Sequence, residues 1–480
     1  MNRRLFIAAV SVSAAGAFHF GFQLVITDPS QSAFESFVKT SIKRNYGSQI
    51  DESSLDVIWG ALVAAYFVGA IFGSLAISSL SDGFGRKSTL LGAYICCILA
   101  LMCAIVSHFV TSFELYGISR LLLGFGCALS IGVGPVYLSE ISPKHLRGKI
   151  GMSTGISVQL GLVVGAVVSM PQVWGTYGNW WIIYVFEAAI LMMGALVVCF
   201  LPESPVYSLS KSDKLAAMTS IEYFHNCPLD DTIDLIKSMD IGSSPKLGLL
   251  EIWHDKTGRP GLIIGLIARF GTAFSGIAAI NAFAVDIFEA GGLGSFSASW
   301  ANTALSFASF LATLAATTAV ERFGRRFLML IGSGVLIACN VVIVILLYAH
   351  EHTKYKFVEI SLVIVFAVFL IFFAIGPGPI CYFINAELND SASRGAAQSW
   401  TSCMQQLCRA ILLFAFLPVK SAVGASGAFL VLFIGPLVWS TVYLYYRLPE
   451  TKNRSSEVEI MQAKDALPAA PRWISWALPS

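Results

Sequence analysis

Charged residues are scarce in this chain. Only 12% of its 480 residues are Asp, Glu, Lys or Arg, whereas 56% are hydrophobic, and the mean hydropathy is +0.72. Soluble domains carry about 25% charged residues, so this composition argues against an ordinary soluble domain and indicates a protein surrounded by lipid. The net charge is only +2, and no run of Lys or Arg is long enough to form a phosphate-binding patch. We therefore predict no nucleic-acid partner.

The sequence also lacks the residue spacings of a metal centre or a catalytic site. Nine of the ten cysteines lie within or at the ends of apolar segments, with Cys227 as the exception. They are typical of small core residues and do not form a disulfide or zinc framework. His350 and His352 lie in a short loop without further ligands. The polar segments contain no evident nucleophile or phosphate-binding loop, so we predict no enzymatic activity, metal or cofactor.

Long apolar segments are what the chain has in abundance. A bilayer core of about 30 Å needs about 20 apolar residues per helix. Twelve such segments occur, near 5–27, 55–80, 88–110, 113–138, 150–170, 180–201, 259–289, 297–320, 327–349, 358–383, 395–419 and 423–447. No small-residue cleavage site follows the first segment, so we interpret it as a retained helix. The pattern predicts an all-α membrane protein with twelve transmembrane helices.

The distribution of basic residues predicts the orientation of these helices. The basic residues occupy alternate short loops and include Arg86, Lys87, Lys144, Arg147, Lys149, Arg322, Arg325, Arg326 and Arg394. The short loops between them contain no Lys or Arg. By the positive-inside rule the basic loops face the cytoplasm, and an even number of spans places both termini there too. We predict a multi-pass protein of the plasma membrane.

The two halves of the chain repeat three motifs, two that combine acids with arginines and one that contains an acid alone. The matched residues are Asp82 and Arg86 with Glu321 and Arg325, Glu140 and Arg147 with Glu387 and Arg394, and Glu203 with Glu450. The repeat divides the chain into a six-helix bundle at 1–201, a polar linker at 202–258, a second bundle at 259–447 and a tail at 448–480. Duplicated six-helix halves are typical of transporters in which one bundle rocks against the other.

The repeated acids and arginines are predicted to form a cytoplasmic gate. Exposed ion pairs contribute only about 0–1 kcal/mol each. A set of them still biases an equilibrium between two conformations that differ by a few kcal/mol. The alternative is that the charges merely fix the topology, which would require the basic residues but not the acids at matched spacings.

Together these motifs resemble those of a sugar porter of the major facilitator superfamily, and most closely the animal facilitative glucose transporters. The resemblance covers nearly the whole chain and includes GAFHFGFQ, DGFGRK, SRLLLGFG, YLSEISPKHLRG, PESP, SGI, VERFGRR, GPGPICYFINAEL and PETKNR. Val206 departs from the pattern, because an arginine commonly follows PESP. The resemblance implies the major facilitator fold and transport of a sugar or sugar-like small molecule by alternating access.

The resemblance also implies a central sugar site, which this chain retains only in part. Gln159 matches a sugar-binding glutamine and Trp400 a sugar-binding tryptophan. Other family positions have lost their amide, carboxyl or indole groups; they are Thr272, Ala273, Ala278, Ser309, Ala374, Tyr382, Ser399 and Cys403. A sugar hydroxyl buried without a partner costs about 1–3 kcal/mol. Either the site is rebuilt, or the ligand is less polar, or nothing is carried.

Several polar residues are candidates for a rebuilt site. Asn281 lies one turn beyond Ala278, and His19 and Gln23 share a face of the first span. The predicted substrate-binding set is Gln159, Trp400, Asn281, Thr272, Tyr382, Gln23 and His19. Gln405 and Gln406 add further amides. Alternatively, each of these side chains forms a hydrogen bond between helices and does not bind the ligand.

Four ionisable residues fall inside apolar spans. One of them, Glu187, bears on whether transport is coupled to protons. The four are Arg120, Glu187, Arg269 and Arg409, and each should face an aqueous cavity or a partner. Proton-coupled relatives carry an acid at the position of Glu187 and an aspartate at the position of Gln23. Because Gln23 cannot titrate, we predict that Glu187 pairs with Arg120 and that transport is uniport.

Two alternatives to uniport stay open. A proton cycle could run on Glu187 with help from His19, which would make the protein a proton-coupled symporter. A non-transporting membrane sugar sensor is motivated by the altered site. The short tail and the nearly intact gating motifs argue against the sensor. No protein partner can be inferred.

Overall fold

The computed structural model describes residues 3–27, 29–143, 146–225, 247–281, 288, 294–353, 356–390 and 392–452. The helices of the first half are α1 (Arg3–Ala15), α2 (Ala17–Val25), α3 (Gln31–Tyr46), α4 (Glu52–Phe84), α5 (Arg86–Val110), α6 (Phe113–Ile141), α7 (Arg147–Val168) and α8 (Trp180–Cys199). Two short helices follow, α9 (Pro205–Ser210) and α10 (Lys214–His225). Lys144 and Cys227 lie outside the described residues.

The second half begins after a 3₁₀ turn at Glu251–Trp253. Its helices are α11 (Gly258–Ala273), α12 (Ser295–Phe323), α13 (Arg325–Thr353), α14 (Lys356–Ile375), α15 (Pro377–Leu388), α16 (Arg394–Phe429) and α17 (Gly435–Arg447), with a π-helical turn at Leu430–Ile434. Within the described ranges, ten helical stretches are long and apolar enough to cross a membrane. The predicted segments 259–289 and 395–419 are not among these ten.

The seventh predicted span is broken at its Ser-Gly-Ile sequence. Helix α11 ends at Ala273, a turn occupies residues 274–276, and helix resumes at Ile277. Gly276 has φ of 100°, a backbone conformation that glycine adopts without steric cost. The Asn340 side-chain amide donates to the Ser275 carbonyl oxygen at 2.8 Å, which satisfies a backbone group next to the break.

The loop predicted at 28–54 contains a helix that the hydropathy pattern did not predict. Helix α3 has too few apolar residues to span a bilayer, but its apolar residues repeat with helical spacing. Phe34 and Phe37 are buried. Their ring centroids lie 5.0 and 5.1 Å, respectively, from that of Trp180. The helix therefore covers one end of the first half.

Apolar packing divides the described helices between the two halves. The largest buried cluster is built from residues between Leu5 and Phe224, and the next from residues between Ile277 and Leu437. A third cluster joins Met152 of α7 to second-half residues such as Ile384. The halves thus have cores of their own and meet along a narrower interface.

Candidate substrate cavity and gate

A cavity lies between the two halves of the chain. Its space between atoms, including space open to solvent, is about 620 Å³. It is lined by Leu24, Gly155, Val158, Gln159, Leu162, Thr272, Ile277, Asn281, Ser306, Ser309, Leu370, Phe373, Ala374, Gly378, Pro379, Tyr382, Gln405 and Arg409. Most lining residues come from the second half. A volume of this size is suited to a small molecule.

Four residues of the predicted substrate-binding set line this cavity: Gln159, Thr272, Asn281 and Tyr382. The Gln159 amide donates to the Ser309 hydroxyl, so it connects α7 to α12 across the interface between the halves. The Thr272 hydroxyl donates to the Ala268 carbonyl of its own helix at 2.8 Å. The helix break before Ile277 brings Asn281 to the cavity wall.

Trp400 lies away from the cavity lining. Its indole Nε1 donates to the Leu249 carbonyl oxygen at 2.7 Å, and its ring packs edge-on against Trp253 with centroids 5.6 Å apart. Both partners precede α11 in the chain. In this conformation Trp400 fastens α16 to the segment that enters the second half.

His19 and Gln23 also lie outside the cavity lining, in a buried network of the first half. The His19 Nδ1 and Glu187 Oε1 atoms are 3.0 Å apart, and the Gln23 Nε2 donates to Glu187 Oε2 at 2.6 Å. Arg120 donates to the Gln23 Oε1 and stacks over the Tyr66 ring at 4.9 Å. Arg120 and Glu187 therefore interact through the Gln23 amide and form no direct ion pair.

The second half holds two buried arginines near the cavity, and sequence reasoning gave neither of them a role. Arg269 is 1% exposed and Arg409 is 6% exposed. Arg269 donates to the Gln405 side-chain oxygen, and its Cζ lies 4.5 Å from the centroid of the Tyr382 ring. Arg409 lines the cavity itself, with its Cζ 5.0 Å from the centroid of the Phe20 ring. The sequence shows both as intramembrane charges, but no pattern in it indicates that both lie at or next to one cavity.

The predicted gate residues of the first half form one compact network. Arg86 donates to Glu140 at 2.9 and 3.0 Å and to Asp82 at 2.9 Å. Glu203 accepts the backbone N–H groups of Arg86 and Lys87 at 2.9 and 3.0 Å. These N–H groups begin α5, where the helix leaves its first donors unsatisfied and favours a negative charge.

The second half repeats this network residue by residue. Arg325 pairs with Glu387 at 3.2 Å and with Glu321 at 3.5 Å. Glu450 accepts the backbone N–H groups of Arg325 and Arg326 at 2.9 and 3.1 Å. The contacts of Arg325 to its acids are longer than those of Arg86. We call the end of the protein that carries both networks the motif end.

The two networks touch each other's half at the motif end. A Cβ atom on Gly148 would lie 2.2 Å from Glu321 Oε1, and one on Gly395 would lie 3.0 Å from Asp82 Oδ2. The Ser78 backbone N–H donates to the Ser399 hydroxyl at 2.9 Å. The halves are therefore in contact below the cavity, and the motif end is closed.

Each half has one more gate arginine seven residues after a gate acid, Arg147 after Glu140 and Arg394 after Glu387. Arg394 donates to the backbone carbonyls of Ala386 and Asn389 at 3.1 and 3.4 Å. Its positive charge attracts the Glu140 carboxylate of the first half. Arg147 begins α7, but its side chain lies outside the described part of the structure.

A helical fold in two halves, with a cavity between them and a duplicated gate, defines a membrane carrier. Residues 8–461 match the family model described as "Sugar (and other) transporter". The chain belongs to this family. It is a multi-pass membrane sugar transporter with the twelve-span fold of the major facilitator type, and it is not an enzyme.

Curated relatives are similar over most of their length. The chain is 27% identical over 456 residues to human solute carrier family 2, facilitated glucose transporter member 7, covering 94% of this chain and 88% of that protein. It is 28% identical over 456 residues to member 3 from Gallus gallus, covering 94% and 90%. A facilitated glucose transporter homolog of Caenorhabditis elegans is 27% identical over 453 residues, covering 93% and 87%.

Solved structures share the fold at low sequence identity. The proton:xylose symporter XylE bound to 6-bromo-6-deoxy-D-glucose aligns with a TM-score of 0.78 at 17% identity, covering 97% of this chain and 99% of that chain. A partially occluded inward-open conformation of XylE from E. coli aligns with a TM-score of 0.73 at 17% identity, covering 92% and 100%.

Proposed function

We propose that this protein is a facilitative carrier that moves a sugar-like solute by alternating access, without coupling to protons. The observation that carries the proposal is the duplicated gate. Each half holds an arginine between acids, and each network contacts a glycine of the other half, Gly148 or Gly395. Such contacts form when the bundles close at one end and break when they part, which is what alternating access requires.

The cavity supports a solute that offers several hydroxyl groups. Its wall combines the amides of Gln159, Asn281 and Gln405 with the hydroxyls of Ser306 and Ser309. Amides and hydroxyls both donate and accept hydrogen bonds, which suits a polyhydroxylated ligand. The relatives named as facilitated glucose transporters support the same solute class.

We place the motif end in the cytoplasm, on the basis of its basic residues. Both termini then lie in the cytoplasm of a plasma-membrane carrier. The bundles at 1–201 and 259–447 are the parts that would move against each other, with the linker at 202–258 and the tail at 448–480 on the cytoplasmic side.

The buried network of the first half supports uniport. Glu187 is fully buried and His19 is 1% exposed, and neither lines the cavity. A proton carrier must exchange its proton with water during the cycle, and both members of this pair are buried in the present conformation. Gln23, which lies between Glu187 and Arg120, cannot titrate.

Proton symport is the second candidate, and one observation favours it. The His19–Glu187 contact joins two titratable groups inside the bundle, and the His19 Nε2 has no hydrogen-bond partner. Intramembrane ionisable groups of this kind serve as proton relays in other transporters.

Transport by purified protein in liposomes separates these mechanisms. Labelled hexoses are supplied with and without an imposed pH gradient. A uniporter brings inside and outside concentrations to equality under both conditions and shows counterflow when the liposomes are preloaded with unlabelled hexose. Accumulation driven by the pH gradient, and lost in Glu187→Gln, would instead establish symport.

The Gln159→Ala variant tests the site. The substitution removes one amide from the cavity wall. It also removes the hydrogen bond to Ser309 that joins α7 to α12. We expect uptake to fall at least tenfold at low solute concentration. Binding of hexose without uptake by the unmodified protein would favour the sensor and contradict the carrier.

A further inference from the structure

Two arginines of the second half, Arg409 in the cavity wall and Arg269 next to it, carry positive charges without a described counter-charge. Within the described residues neither Arg269 nor Arg409 forms an ion pair, whereas Arg86 and Arg325 each pair with two acids. The Arg269 Nε and Nη2, the Arg409 Nη1 and the neighbouring Gln405 Nε2 are buried without a hydrogen-bond partner. Four donors near one cavity therefore have no acceptor among the described residues.

Burying an arginine without a counter-charge raises the free energy of the folded protein unless another interaction replaces the lost hydration. A guanidinium keeps its proton under all physiological conditions, so an arginine cannot escape the cost by becoming neutral. Burial of an ion costs several kcal/mol when no opposite charge or set of hydrogen bonds replaces water. The aromatic rings under the two guanidinium groups offset part of this cost, since a cation over a ring is stabilised by about 0.5–2 kcal/mol. They cannot accept the in-plane N–H bonds.

The missing acceptor has a definite chemistry. A guanidinium presents its N–H groups as a planar fork that matches the two oxygens of a carboxylate. Arg409 lines the cavity, and Gln405 links Arg269 to the same wall. The remaining lining amides and hydroxyls suit hydroxyl groups. A ligand that satisfies both sets carries an anionic group at one end and hydroxyls along the rest.

We propose that the solute of this carrier is a small hydroxylated organic anion of the sugar-acid type, whose carboxylate is bound by Arg409 with support from Arg269 and Gln405. This inference rests on the carrier function proposed above and specifies its substrate class. It also accounts for the amides that the site lacks relative to its family, because a charged group supplies binding energy that neutral hydroxyls would otherwise have to supply. Uniport of such a solute moves one negative charge per cycle.

Matched pairs of neutral and acidic sugars test this proposal. The probes are D-glucose with D-glucuronate and D-galactose with D-galacturonate, because the members of each pair differ only in the group at C6. Purified full-length protein in liposomes is assayed at equal concentrations with the membrane potential clamped. We expect uptake of the uronates at least tenfold faster than uptake of the hexoses, with a rate that changes with the potential. D-glucose 6-phosphate tests whether a phosphate serves in place of the carboxylate.

Variants of the cavity arginine separate binding from folding. Arg409→Gln should lower uronate uptake at least tenfold, whereas Arg409→Lys, which keeps the charge but not the fork, should retain part of it. Leu407→Ala, on the outward-facing side of the same helix, is the matched control and should transport normally. Uptake is normalised to protein that elutes as a monodisperse species.

Each alternative outcome has a distinct meaning. Uptake of hexoses but not uronates would overturn the anion proposal and leave the sugar carrier standing. Uptake of phosphate ester but not uronate, or uronate uptake unaffected by Arg409→Gln, would overturn the assignment of the carboxylate to this arginine. Absence of uptake of every probe, together with no thermal stabilisation by any of them, would overturn both the anion proposal and the carrier function.

Discussion

The two halves of the protein hold their buried arginines in opposite ways. In the first half the Gln23 amide joins Arg120 to Glu187 through two hydrogen bonds. All three side chains are buried inside the bundle. In the second half neither Arg269 nor Arg409 pairs with an acid among the described residues; Arg409 lines the cavity, and Arg269 contacts Gln405 and Tyr382 of its wall. The first network contains an acid, although the Arg120 Nε and the His19 Nε2 have no hydrogen-bond partner, whereas the second contains no acid among the described residues. We therefore propose that the buried charge of the first half is structural and that the buried charge of the second half binds the ligand.

Removal of the acid from the first half should produce the largest effect. Glu187→Leu leaves the Gln23 amide and the His19 ring without the carboxylate that they contact, and leaves the charge of Arg120 without a nearby acid, inside a buried network. Removing one partner of a buried charged network costs about 3–5 kcal/mol. We expect a large fall in the thermal unfolding midpoint of detergent-solubilised protein.

Glu187→Gln is the matched control for that variant, because it keeps the shape and a side-chain oxygen. It should lose less than half as much stability as Glu187→Leu. Equal stability of the unmodified protein and Glu187→Leu would contradict the view that the first-half network is structural.

The two gates provide the second comparison between the halves. Gly148→Ala places a Cβ atom 2.2 Å from Glu321 Oε1 and 2.3 Å from Arg325 Nη2, whereas Gly395→Ala leaves 3.0 Å to Asp82 Oδ2. The first substitution must displace the second-half ion pair, and the second needs only a small adjustment. We expect Gly148→Ala to destabilise the state closed at the motif end by about 1–2 kcal/mol and Gly395→Ala by less than half of that.

Spin labels at two equivalent exposed positions measure this effect. Phe84 and Phe323 end α4 and α12 and are 70% and 52% exposed. Electron–electron distances between labels there should lengthen in Gly148→Ala as the halves part, and should change less in Gly395→Ala. The same distance distribution in both variants would show that the two gates contribute equally.

A smaller effect is expected at Trp400, where resemblance and geometry imply different roles. The resemblance assigns it to sugar binding, while in this conformation its Nε1 donates to the Leu249 carbonyl. Trp400→Phe keeps a ring against Trp253 and removes only that hydrogen bond, which contributes about 1 kcal/mol. We expect a slightly lower unfolding midpoint and an unchanged KM for uptake. A tenfold rise in KM would support the binding role.

The sequence predicted the class of fold because that information is local. Twenty-residue apolar segments and matched motifs such as Asp82 with Arg86 are visible without any tertiary contact. The helix break at Gly276 was concealed because a glycine within an apolar run is also compatible with a continuous helix. Helix α3 was missed because a search for apolar length ignores short amphipathic helices, although Phe34 and Phe37 showed the spacing.

The cavity was only partly predictable because it depends on contacts between distant segments. Gln159 and Tyr382 were found through their positions in motifs, and both line the cavity. Arg409 was identified as an intramembrane charge, but nothing in sequence indicates which side of a helix faces the other half. Likewise no pattern indicated that the Gln23 amide would separate Arg120 from Glu187.

The last prediction concerns the arginine of the second half that has the least direct access to the cavity. Arg269→Leu removes a buried charge without a described counter-charge and, at the same time, the hydrogen bond to the Gln405 oxygen. The first change is favourable and the second costs about 1–3 kcal/mol, so the two offset each other. We expect the unfolding midpoint without ligand to stay within a few degrees of that of the unmodified protein, in contrast to Glu187→Leu. If Arg269→Leu is as destabilising as Glu187→Leu, Arg269 is a structural charge like Arg120, and the contrast between the two halves does not hold.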